Sequence, residues 1–327
     1  GVVPYYHYMQ AKIPILNEKC TAAHDISESF NSVNKPIYMT MGHTGDLGYK
    51  IVADEIFKSV KSYLIEEPSS NAPKLVFSKS FGNLGNDKGE FDTPLGFDFF
   101  GDKLFVLDTH NNRIQIFSND GAFLSQFSIN GNGASGIAAT NHKIFVADTY
   151  NYKVTVFDYD GKLLNEFEVS WTRDLEADEE FVYVLEPHTE HIRVYDHSGE
   201  LKYGLLAHNN VHFLNSYDSK LIASGPHASL SIPPEIMIFD KEKKIQDYSF
   251  PTSDDAQGVA IYENHVFLID KNKIQIFDLK GELLSEFKLE TNSKESSSFS
   301  QIEVNANTLY VLDTHGNNIQ ILEIIYQ

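Results

Sequence analysis

His110, Tyr150, His188 and His315 recur at one place in a repeated pattern, each two residues after an acid: Asp108, Asp148, Glu186 and Asp313. Imidazoles exchange protons near neutral pH, ligate metals and make polar contacts. A zinc site would need three such ligands converging at about 2.1 Å. A ring of imidazole and phenol tips around one mouth of a closed β-architecture would instead form a polar recognition surface, and exposed turn residues are the third possibility. A second series, Asp98, Glu176, Asn215 and Glu303, follows the apolar residues Phe97, Leu175, Leu214 and Ile302. Oxygen donors gathered round a central channel suit calcium, which makes Asp98, Glu176 and Glu303 candidate Ca2+ ligands. The same groups could equally hydrogen-bond to neighbouring strands or channel water. The repeated acids Asp108, Asp148, Asp270 and Asp313 recur too regularly for one active site, and read as carboxylates that accept backbone N–H groups in their own turns. His227, Leu230 and Ile232, on a segment ending in Pro233-Pro234, are candidate contacts for a partner. His43 is a candidate general base, a role that requires a hydroxyl nucleophile within about 3 Å.

The elements that must position these groups follow from length and texture. A chain of 327 residues, 42% hydrophobic and 13% aromatic, can bury more than one core, so two domains or one large β-architecture are expected. Its 26 Lys and Arg against 46 Asp and Glu give a charge of −20, which disfavours nucleic acid and anionic lipid partners. One cysteine, Cys20, excludes an internal disulfide framework and a multi-cysteine zinc site. No apolar run reaches the eighteen residues of a membrane-spanning helix. The opening Gly1-Val2-Val3-Pro4, without methionine, is the start expected of a processed product or a fragment.

Residues 66–73, polar and proline-containing, read as a linker between a small segment 1–65 and a region 74–327. Before it, apolar residues at Leu47, Ile51, Ile56, Phe57, Val60 and Leu64 predict an amphipathic helix over 46–64, hence a small α/β segment. After it, short β-branched and aromatic runs repeat about every 40 residues. Leu104–Asp108, Ile144–Asp148, Val182–Glu186, Val266–Asp270 and Leu309–Asp313 each precede a second strand such as Ile114–Phe117 or Ile274–Phe277, with Leu221–Ser224 a degenerate copy lacking the acid. Six copies of about four strands predict a mainly β fold, a six-bladed β-propeller. The orphan strand 75–81 is expected to complete the last blade and so close the ring.

The run Phe81-Gly82, Gly89-Glu90-Phe91, Pro94-Leu95-Gly96-Phe97 and Leu104-Phe-Val-Leu-Asp108-Thr-His-Asn-Asn-Arg-Ile-Gln-Ile-Phe117 resembles the NHL repeat. That resemblance implies the six-bladed propeller over 74–327. Some NHL-like propellers are zinc-dependent amidating lyases with histidines on several innermost strands; the matching positions here are Leu95, Ser135, Arg173, His212, Gln257 and Ser300, with one histidine. Others bind RNA through a basic face, whereas residues 74–327 carry 20 Lys and Arg against 38 Asp and Glu. His24-Asp25 through Gly42-His43-Thr-Gly-Asp46-Leu-Gly48 looks like the C-terminal end of an SGNH (GDSL-type) hydrolase, in which His43 would be the general base for a serine upstream of Gly1. The expectation is a binding or scaffold module for a protein or glycan partner, without catalysis of its own and with no certain cofactor. The alternative is an SGNH-type esterase or carbohydrate esterase. Secreted relatives of such a pairing point to the cell exterior or cell surface, with the cytoplasm left open.

Overall fold

The computed structural model describes residues 72–130, 133–186, 189–207, 211–225, 234–252, 256–289 and 298–326, with the backbone of 39–40 and 43–44. The chain divides into two compact units, Gly1–Ser70 and Asn71–Gln327. In the first, Met39–Thr40 pairs antiparallel with His43–Thr44. The helix expected over 46–64 lies outside the described residues.

The second unit is a six-bladed β-propeller of four-stranded antiparallel sheets. Blade 1 runs Pro94–Phe100, Lys103–Asp108, Arg113–Ser118 and Phe123–Ser128, from the axis outward. Blade 2 starts at Ala134–Thr140, blade 3 at Asp174–Ala177, blade 4 at Phe213–Tyr217, blade 5 at Ala256–Tyr262 and blade 6 at Phe299–Asn305. These first strands contact one another all the way round, blade 6 returning to blade 1. Strand Lys74–Phe81 pairs antiparallel with Asn318–Ile325 as the outermost strand of blade 6, from Ile319 opposite Phe81 to Ile325 opposite Lys74. One sheet is thereby built from both ends of the unit, and the edge that Asn318–Ile325 would otherwise expose is paired.

The sequence texture explains the layering. Second strands such as Lys103–Asp108 are buried at every residue after the first, because both faces meet other blades, so they read as unbroken apolar runs. Outermost strands such as Phe123–Ser128 are mostly exposed and tolerate polar residues. The apolar cores lie between blades, one at each of the six junctions; Phe105, Leu107, Ile114 and Ile116 of blade 1, for example, pack against Ile137, Ala139, Ile144 and Val146 of blade 2.

The repeated Asp-Gly turns have the same inter-blade logic. Gly161 has φ +84°, and a β-carbon there would lie 2.4 Å from Cγ of Phe127 on the outer strand of blade 1. The turn therefore needs glycine for its backbone and for its contact. Gly121, Gly199 and Gly281 meet Phe81, Phe167 and Phe250 of the preceding blades in the same way.

The recurring acids hold the loops. Asp108 accepts from Asp92 N, Asn111 Nδ2, Arg113 Nε and Gln115 Nε2; Asp148 accepts from Asn151; Asp313 accepts from Ser298 N and Gly316 N. The threonine after the acid then reaches the next blade. Thr109 Oγ1 donates to Ala134 O, Thr149 Oγ1 to Thr172 O, and Thr314 Oγ1 to Pro94 O. In blade 4, where Gly225 stands at the place of the acid, the hydroxyl of Ser224 one residue earlier donates to Gln257 O of blade 5, so the degenerate copy keeps an inter-blade bond.

Candidate functional site

Two layers of polar groups surround the axis. The deeper one is a belt of carboxylates and amides on the innermost strands. Asp98 of blade 1 accepts N–H bonds from Phe99 and, across the junction, from Ala139 of blade 2, both at 2.6 Å. Asp174 of blade 3 accepts from Leu175 and from Leu214 of blade 4, both at 2.9 Å. Asn215 of blade 4 accepts from Ile261 N of blade 5 at 2.9 Å and donates to Glu303 of blade 6. Gln301 of blade 6 holds both backbone groups of Phe97 in blade 1, accepting from N and donating to O at 2.8 Å each. These side chains staple blade to blade where the inner edges of the first strands have no further strand to pair with.

Burial dominates their electrostatics. It pushes the Asp98 and Asp174 carboxyls up to about 7 against the opposing pull of their backbone N–H bonds. Glu176 and Glu303 are raised well above the usual range, first by burial and then by repulsion, from Asp98 and Asp174 at Glu176 and from Glu176, Asp98 and Asp174 at Glu303. Glu176 receives a bond from Ser216 Oγ at 3.1 Å, and Glu303 one from Gln301 Nε2 at 3.2 Å. The belt therefore takes up protons near neutral pH rather than holding four charges.

Of the candidate calcium ligands, Asp98 has both oxygens engaged by backbone N–H groups, while Glu176 and Glu303 share the same buried zone. Among the described residues, no group of three or more His, Cys, Asp or Glu side chains is placed to hold one metal ion.

Above the belt opens a cavity of about 580 Å3. Each blade contributes one residue at the start of its innermost strand: Leu95, Ser135, Arg173, His212, Gln257 and Ser300. Trp171 and Tyr150 add aromatic surface, and His110 lies at the rim. Desolvation, helped by Arg173, lowers the His212 pKa to about 4, so this imidazole is neutral at physiological pH. Burial also lowers the Arg173 guanidinium, with the neighbouring Asp174 pulling the other way.

Of the repeated aromatic series, His110 and Tyr150 line this cavity, whereas the exposed His315 is not among its lining residues. His110 Nδ1 sits 3.3 Å from Asp92 Oδ1. His188, His227, Leu230 and Ile232 lie outside the described residues, and for His43 only the backbone is described. Sequence reasoning missed Asp174 and Gln301 in the belt. The signal was present in the aligned blades, where Gly136 and Gly258 occupy their position in the preceding blades. A β-carbon at Gly136 would lie 2.9 Å from Asp174 Oδ1, and one at Gly258 would lie 2.8 Å from Gln301 Cα. Glycine in one blade makes room for the polar side chain of the next.

No protein-family model and no curated protein matches the chain. Solved structures do. Hydrazine synthase of Kuenenia stuttgartiensis aligns at 13% identity over 73% of this chain and 79% of that one, with a TM-score of 0.56. U3-55K aligns at 12% identity over 72% and 82%, with a TM-score of 0.55. The WD40 domain of Neurospora crassa Pan2 aligns at 12% identity over 70% and 74%, with a TM-score of 0.50. At such identities the likeness is one of fold, the β-propeller. Among the described residues, no helix is long and apolar enough to cross a membrane.

Proposed function

We propose that the propeller is a binding module for a protein or glycan partner, non-catalytic in itself, with the axial mouth as its recognition face. The observation that carries this reading is the cavity lined from all six blades, whose six equivalent positions carry five different residue types, serine alone recurring at Ser135 and Ser300. Repeats that only held the ring together would carry similar residues there, as they do at the Asp-Thr positions. A concave site with aromatic walls and a few placed polar groups is the usual form of a ligand pocket. The charge of −20 disfavours nucleic acid as the partner. The repeat is read as NHL type from Asp108 to Phe117 and its copies, and the location as extracellular or at the cell surface.

The test is a screen of the immobilised protein against glycans and secreted proteins, repeated with a Tyr150→Ala/Trp171→Ala variant and with residues 226–234 deleted. Binding lost in the mouth variant assigns the mouth, and binding lost only in the deletion assigns that loop. A binder indifferent to both, or no binder, overturns the reading. The second reading, an SGNH-type esterase, rests on the sequence around His43. Cleavage of a chromogenic acetyl ester that disappears in His43→Ala would replace the first reading with this one.

A further inference from the structure

The chemistry of the mouth is more selective than a generic binding face requires. In a strongly acidic protein, the cavity lining holds, among the described residues, one carboxylate, Asp174, and one permanent cation, Arg173. Asp174 acts on that cation through its charge but not through a hydrogen bond, since its two oxygens accept from the N–H groups of Leu175 and Leu214. The Arg173 guanidinium has no hydrogen-bond or ion-pair partner among the described residues, yet it stands in a partly desolvated concavity. A guanidinium so placed is a vacant bidentate donor for a planar anion. His212 beside it is neutral and adds no competing charge.

A second group independently awaits a ligand. Gln257 Oε1, across the mouth on blade 5, is buried and accepts no hydrogen bond from the described residues. It needs a donor, which a bare anion does not supply. The same cavity is lined by the aromatic side chains of Trp171 and Tyr150. Tyr150 is 74% exposed, and its stem rests on Gly133, where a β-carbon would lie 2.8 Å from Tyr150 Cβ. An anion, hydroxyl donors and a partly apolar ring face are thus required together, in a cavity of about 580 Å3.

We propose that the mouth binds a carboxylated sugar, a uronic acid unit of an acidic glycan, with its carboxylate on Arg173, hydroxyls toward Gln257 and its ring against Trp171 and Tyr150. This assignment rests on the mouth being the recognition face. The buried side chains of Asp98, Glu176 and Glu303 lie on the same innermost strands, beyond the residues that line the mouth. Inorganic phosphate would satisfy Arg173 and leave Gln257 unpaired. An acidic peptide side chain offers no ring to the aromatic walls.

The test is calorimetric titration of the full chain with D-glucuronate, D-glucose, inorganic phosphate and a tri-glutamate peptide. Glucuronate is expected to bind at least about tenfold more tightly than glucose, and Arg173→Gln to weaken it by roughly ten- to a hundredfold, the usual cost of losing a charge-assisted bond. Gln257→Leu should weaken glucuronate and glucose alike. Tyr150→Ala, at an exposed position, provides a variant whose folding is not at risk. Equal affinity for glucose and glucuronate, tighter binding of phosphate or tri-glutamate, or no binding of glucuronate at millimolar concentration would each overturn the sugar assignment. If a partner found in the screen is still lost in the mouth variants, the recognition face survives that failure. If partner binding is also indifferent to the mouth, both ideas fall.

Discussion

Arg173 and Asp174 are neighbours in sequence and do opposite things. Arg173 opens into the mouth with no partner among the described residues, whereas Asp174 turns both oxygens onto backbone amides and joins blade 3 to blade 4. The mouth and the belt are successive layers of the same strands, separated by one or two residues. In the belt the side-chain hydrogen bonds run mostly from blade to blade; in the mouth Ser135 and Ser300 bond Thr149 and Thr314, while the Arg173 guanidinium and Gln257 Oε1 have no hydrogen-bond partner among the described residues. Polarity near the axis of a propeller is therefore no guide to function by itself; what matters is whether its hydrogen bonds close within the protein.

The largest effect should come from breaking a belt staple. Asn215→Leu leaves the Ile261 N–H without its acceptor and removes the donor to Glu303 in a zone that water does not reach. Uncompensated burial of this kind costs about 3 kcal/mol or more. Chemical denaturation should show the loss, and a change below about 1 kcal/mol would mean that the belt is not a fastening device.

A smaller effect, of distinctive sign, concerns protons. The belt acids have folded pKa values above their unfolded ones, with Asp98 and Asp174 at about 7. Their contribution to stability is complete below their unfolded values near 4 and is lost as pH rises through 7. Acids with depressed values, such as Asp178 and Glu286, act in the opposite direction, and their contribution disappears only as pH falls below about 4. His212, held at about 4, and His197 and His265, lowered by burial, lose stability over the same descent, so the melting temperature should rise from pH 8 to 5 by the excess of the four belt acids over these histidines. Glu176→Gln removes one of the crowded carboxylates, so it should stabilise the protein at pH 8 by on the order of 1–3 kcal/mol and flatten the slope. Calcium sharpens the same comparison. If protons keep the belt neutral, millimolar Ca2+ leaves the melting temperature unchanged at pH 8, and a clear rise there would assign Asp98, Glu176 and Glu303 to a cation instead.

What could be read in advance follows from how local each constraint is. The second strands, buried on both faces, announce themselves as apolar runs ending in an acid, and their 40-residue recurrence gave the blade count. The Asp-Gly turns were equally legible, but not the reason for them, since Phe127 lies more than thirty residues before Gly161 and in another blade. The belt was half visible. Asp98, Glu176, Asn215 and Glu303 align because they share a position, whereas Asp174 and Gln301 each sit two residues before their belt partners Glu176 and Glu303, where blades 1, 2 and 5 have Gly96, Gly136 and Gly258. A register shift adds to this: the first strands of blades 1 and 2 carry a bulge between Pro94 and Gly96 and between Ala134 and Gly136, while the short first strand of blade 3 pairs without one. The vacancy at Arg173 was illegible, because whether a cation has a partner is decided by every neighbour in space at once.

The smallest effect is on the mouth side, and it decides whether the two layers really divide their roles. Arg173→Gln and Tyr150→Ala remove no hydrogen bond that holds blades together, and both residues are exposed. Surface substitutions of this kind change stability by no more than about 0.5 kcal/mol. Arg173→Gln could even be slightly stabilising, since it relieves an unpaired charge of its desolvation. Denaturation midpoints for the two variants should then coincide with that of the parent while their ligand affinity falls. A loss of about 2 kcal/mol in Arg173→Gln would instead show that the guanidinium is neutralising the belt acids beneath it. In that case the mouth and the belt would form one electrostatic unit, and Arg173 would be a structural counter-charge.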